Sequence, residues 1–132
     1  MPGEQPVIDP HHHLWDLGRN TYPWLQDRTL APRLEGDIRP IAKDYLLGDY
    51  TSDTGNQNVV KSVHIECGWD PSNPVGETEW LQRLADKHGY PHGIVARATL
   101  DAPITPPCES NKGETVRETV RILPSFALRL VL

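Results

Sequence analysis

The stretch Val7-Ile8-Asp9-Pro10-His11-His12-His13-Leu14-Trp15-Asp16 decides how this chain is read. Its apolar start predicts a strand, and successive side chains on a strand alternate between faces. Asp9, His11 and His13 are then expected on one face, with His12 on the other. Two neutral imidazoles sharing a face make a half-site for a divalent metal, with His11 and His13 as its ligands. Two blander readings stand beside this one. The first is a histidine cluster with no ligand role; the second is the remnant of a purification tag, which the apolar context disfavours.

Followed by Tyr22-Pro23-Trp24-Leu25, the string from Ile8 to Asp16 resembles the first strand of the amidohydrolase superfamily. Within it, the string is similar to the amidohydrolase-related branch that includes sugar lactonases and pyrone-dicarboxylate lactonases. The resemblance implies an α/β fold, a partial (β/α)8 TIM-type barrel holding about the first three strand-helix units. Residues 1–103 would be the N-terminal portion of that barrel and residues 104–132 a divergent, poorly structured tail. It also implies a hydrolase acting on a small-molecule lactone or carboxylic acid derivative by opening a C–O ester ring. The implied cofactor is a divalent metal, zinc in many members, whose bound water becomes the nucleophile as the cation lowers its pKa. Some relatives work without metal and use the same histidine positions to contact substrate. Only His11 and His13 match the ligand positions, and Asp9 matches the strand's leading acid; later-strand ligands and the general base have no counterpart. Two readings therefore stay open: a hydrolase represented by an incomplete portion, and a noncatalytic fragment that needs a partner chain.

At 132 residues the chain is long enough for one ordinary domain. With a net charge of −5 and scattered Lys and Arg, it carries no electrostatic footprint for nucleic acid. No apolar run approaches the roughly 20 residues of a membrane span, and the start Met-Pro-Gly-Glu-Gln-Pro lacks the features of a secretory signal. A cytoplasmic location is expected, with no membrane partner. Cys67 and Cys108 are the two cysteines and have no Cys-x-x-Cys spacing, so both read as free thiols, Cys67 as a small core residue.

The rest of the chain alternates strand and helix signals. Residues 18–40 read as a long loop from which Trp15 and Trp24 would line a substrate pocket, or else anchor the core. Tyr22, Trp24 and Arg19 hint at a pocket for a ring-shaped acid or lactone. Residues 41–50 suit a short amphipathic helix, and residues 59–67 a strand. In that strand Val59, Val63, Ile65 and Cys67 form an apolar face, expected against helices; Val60, Ser62, His64 and Glu66 form the other. Glu66 would then project into the mouth of the site as the candidate catalytic and substrate-binding carboxylate, with His64 one layer deeper.

From Asn73 and Pro74 to His88, with acidic residues early, basic residues late and Gly89 beyond, the signals predict a helix. His88 then ends a helix, and His92 enters the next strand, residues 93–101, which closes on a third carboxylate, Asp101. Residues 114–123 suit one weak helix. The apolar end from Phe126 to Leu132 is an aggregation liability unless covered, and exposed strand edges favour self-association.

Overall fold

The computed structural model describes residues 5–27 and 36–97, and the backbone of residues 121–123 and 126–130. Three β-rich runs form parallel strands, β1 (Val7–His12), β2 (Val59–Ile65) and β3 (Gly93–Ala96). Two further strands, β4 (Arg121–Leu123) and β5 (Phe126–Leu130), complete one sheet in the order β1-β2-β3-β5-β4. Residues 121–123, expected in a weak helix, are extended, and β5 pairs antiparallel with β3 from Gly93↔Leu130 to Ala96↔Ala127.

The expected partial (β/α)8 TIM-type barrel is not what forms. The sheet is open and mixed, and its physical obstacle is β5. A barrel needs a fourth parallel strand on the free edge of β3, reached by a crossover helix. That edge is filled by an antiparallel strand instead. At the opposite edge, β1 pairs with β2 alone among the described residues. The third carboxylate, Asp101, lies outside the described residues.

Helices cover one face. A short helix α1 (Pro23–Gln26) begins with proline at its first turn, where a missing N–H costs nothing. Residues 39–41 make one 3-10 turn, and α2 (Leu47–Asp53) starts later than expected, its first turn fixed by Asp49 Oδ2 accepting the Leu46 amide at 2.8 Å. The longest helix among the described residues, α3 (Gly76–His88), has Glu77 and Glu79 in its first turn and Lys87 and His88 in its last, as the helix dipole favours. Gly89 stops it in the left-handed region at φ 76°, its N–H bonded to Ala85 O at 2.8 Å.

Leu14, Tyr50, Leu81 and Ile94 join β1's end, α2, α3 and β3 into one core. Because Ile94 pairs in register with His64, and His64 with His12, these three side chains share the helix-covered face. The expected orientation of β2 is therefore reversed. Ser62 and His64 are fully buried beneath the helices, while Val63 and Ile65, on the other side of the strand, are half-buried. The reversal is supported by one partnered nitrogen on each buried ring: His12 Nε2 with Ser62 Oγ at 3.1 Å, and His64 Nε2 with the Leu14 amide at 2.9 Å.

Leu81 is fully buried in this core. Leu81→Ala is expected to cost about 3 kcal/mol, read as a lower midpoint in urea unfolding with an unchanged slope.

Candidate metal and substrate site

β1 does not alternate cleanly. Its pairing with β2 slips between Asp9 and His12, around Pro10, which has no N–H for the ladder. Asp9, expected beside His11 and His13, turns instead to the Tyr50 hydroxyl, which donates to Oδ2 at 2.9 Å; the Tyr50 ring stacks on His12. Within the slip His11 is exposed, and just past it His13 is half-buried, with their Nε2 atoms 3.1 Å apart. His13 Nδ1–H donates to Ile65 O at 2.8 Å, which leaves a lone pair on His13 Nε2. Two nitrogens at this separation can each lie about 2.1 Å from one zinc ion, subtending an angle of roughly 95–100°. The pair therefore fits the cation that the resemblance implies.

His12 stands apart from this pair. It packs between Tyr50 and His64, with ring centroids 4.3 and 5.6 Å away. Burial drops its pKa from 6.5 to about 4, partly opposed by the Asp9 carboxylate. Burial likewise drops His64 to about 3, and the neighbouring imidazoles add to that fall. Both rings are neutral in the fold.

A second cluster lies at the ends of β1 and β2. His13, His64 and Cys67 each offer a ligand atom within 4.8 Å of the others. Cys67 is buried; its thiol donates to Glu77 Oε1 at 3.0 Å, and its amide donates to the same oxygen at 3.2 Å. Burial pushes the Cys67 thiol up, and the Glu77 carboxylate pushes it further; burial also raises Glu77 itself.

Glu66 does not join either set of nitrogens. Its Oε2 folds back to accept the Gly68 amide at 3.1 Å, and its own N–H donates to Val95 O at 2.8 Å. Trp15 and Trp24 are half-buried and meet edge to face, centroids 6.3 Å apart, with the His13 ring 6.4 Å from Trp15. Both indoles are tied to backbone: Trp15 Nε1 to Lys43 O at 2.7 Å, Trp24 Nε1 to Cys67 O at 2.6 Å. They form a fixed aromatic wall beside His13. Tyr22, in contrast, is fully buried with Leu25, Ile38 and Cys67, so it lines no pocket. Arg19 lines a different cavity of about 650 Å³, between the loop after β1 and helices α2 and α3, with Leu47, Trp80, Leu84 and Tyr90.

Sequence reasoning assigned His64 and Cys67 no ligand role and gave Glu77 only a place in a helix. Their signal was present: a histidine and a cysteine three residues apart across a strand end, followed by a glutamate in the first turn of the next helix. What hid them was the reversed orientation of β2.

No protein-family model matches the chain, and no solved structure matches it. Over 97 residues it is 56% identical to the "Uncharacterized protein y4mH" of Sinorhizobium fredii (strain NBRC 101917 / NGR234), covering 74% of this chain and 32% of that protein. The chain thus spans about a third of the length of the curated relative it matches. Among the described residues, no helix is long and apolar enough to cross a membrane.

Two measurements check this geometry. His12 and His64 have folded pKa values below their unfolded value, so the unfolded chain takes up protons first as pH falls. Stability is full above about pH 6.5 and drops below it, by about 2 kcal/mol for each ring at pH 5. Urea midpoints at pH 7 and pH 5 should differ accordingly. Gly68, at φ 77°, lies under Trp24, where an added Cβ would come within 2.6 Å of Cδ1. Gly68→Ala should cost at least about 1 kcal/mol in the same assay and shift the tryptophan fluorescence.

Proposed function

We propose that this chain is a hydrolase of the amidohydrolase-related family, acting on lactone rings, with His11 and His13 holding a divalent cation. One observation carries the reading: the two Nε2 atoms converge to hydrogen-bond distance at 3.1 Å, while Ile65 O holds the His13 tautomer that puts its lone pair on Nε2, facing His11. A bound cation supplies a polarised carbonyl and a water acidic enough to ionise near neutral pH. This chain's own residues do the rest. His11 and His13 orient the cation, and the Trp15 and Trp24 indoles offer flat apolar surface to a ring-shaped substrate. Glu66, held on the Gly68 amide, contributes a carboxylate at the end of β2.

A second, noncatalytic reading is favoured by the edge of β1. This strand pairs on one side alone among the described residues and exposes Ile8 at 60%. Such an edge suits strand addition by a partner chain or a second copy.

Zinc titration by calorimetry, together with a panel of lactones, separates the readings. The hydrolase reading expects zinc binding near one equivalent and ring opening that depends on zinc. His11→Ala and His13→Ala should each weaken zinc binding by more than about tenfold. A folded dimer that neither binds zinc nor opens any lactone would overturn it in favour of the second reading.

A further inference from the structure

Two imidazoles are one ligand short of an ordinary catalytic zinc site, which has three protein ligands and an open position. The missing donors lie inward of His13. His64 and Cys67 come from the end of β2, and the ligand atoms of His13, His64 and Cys67 lie within 4.8 Å of one another. We propose that these three residues together hold a soft divalent cation of the zinc type, with His11 at its open, solvent side.

The donor chemistry supports the assignment. One thiolate with two imidazoles selects zinc, cobalt or cadmium over magnesium and calcium, which prefer oxygen. Closing around a cation brings ligand atoms to about 3.5 Å from one another, so the side chains need move by only about an ångström. His13 contributes Nε2, because its Nδ1–H is committed to Ile65 O.

His64 is not locked into one tautomer. Its Nε2 lies 2.9 Å from Leu14 N and 3.4 Å from Leu14 O, so it can accept from the amide or donate to the carbonyl. Its Nδ1 is buried with no hydrogen-bond partner among the described residues. The buried His12 Nδ1 is likewise unpartnered, but of the two rings only His64 has a ligand atom within 4.8 Å of both His13 and Cys67. Neither of two ordinary alternatives accounts for the whole cluster. A purely apolar core position would not place Cys67 beside two imidazoles and a buried carboxylate. Among the described residues Cys67 is a free thiol, so no disulfide there accounts for its place.

When the cation enters, the Cys67 S–H bond breaks, its electron pair stays on sulfur as the donor to the metal, and the proton passes to Glu77 Oε1, 3.0 Å away. Half-buried His13 leaves the way in from solvent. The assignment rests on the hydrolase reading only through His13, which both ligand sets share.

Cobalt(II) tests it by spectroscopy alone. The full chain carrying Cys108→Ser keeps Cys67 as its single thiol. Titrated with cobalt, it should develop an intense sulfur-to-cobalt charge-transfer band in the near ultraviolet, saturating at one equivalent together with the weaker visible bands of tetrahedral cobalt. Adding Cys67→Ser should abolish the charge-transfer band, and His64→Gln should weaken cobalt binding by more than about tenfold. Because the Cys108→Ser spectrum decides by itself, misfolding of the other variants leaves the test intact. Visible bands without the charge-transfer band would overturn the inference and leave the His11 and His13 pair standing. No cobalt bands, with no zinc bound by calorimetry, would overturn both.

Discussion

The structure depends on how two imidazoles are buried. His12 and His64 lie on the helix-covered face of the sheet, where each ring keeps one partnered nitrogen, Nε2, while its Nδ1 has no hydrogen-bond partner among the described residues. Ser62 Oγ answers His12 Nε2, and the Leu14 amide answers His64 Nε2. Both bonds run between β1 or its end and β2, so the same pairs that solvate the rings tie the segment after β1 to β2. The Tyr50 ring stacked on His12 then seats α2, and Leu81 and Ile94 close the layer with α3.

The site geometry follows from that arrangement. His12 lies under the helices, while at the end of β1 the Nε2 atoms of His11 and His13 meet at 3.1 Å and the His13 ring stands 6.0 Å from that of His64. At the end of β2, the Glu77 carboxylate from α3 accepts both the amide and the thiol of Cys67. The same turn takes the Trp24 indole on Cys67 O and needs glycine at position 68 to let it pass. One short segment, Glu66 to Gly68, thus joins β2, the N-terminus of α3 and the aromatic wall.

Much of the local structure was legible. β2, α3 and the start of β3 are written in β-branched runs, a helical apolar stripe and a glycine stop, because these signals act within a few residues. The N-terminal strand and its paired histidines were legible for the same reason. The barrel was not realised. Its expectation rested on alternating strands and helices, and alternation does not say which strand takes the last free edge of β3. Residues 121–123 show the same limit, since a sequence that suits a weak helix becomes a strand when a neighbour offers a ladder. For Glu66, chosen by counting faces, the structure adds a contact that face-counting does not show: one carboxylate oxygen accepts the Gly68 amide.

By itself, the sequence determined that β1, β2, α3 and the start of β3 form, and which residue types could ligate a metal, since both follow from short-range periodicity and donor chemistry. Tertiary structure alone decided which face of β2 meets the helices, and hence that His64 and Cys67 gather beside His13 while Asp9 turns to Tyr50. The reason is physical: a strand's two faces are equivalent until a partner satisfies the polar groups on one of them. Here those partners, Leu14 and Glu77, lie 50 and 10 residues from the side chains they answer.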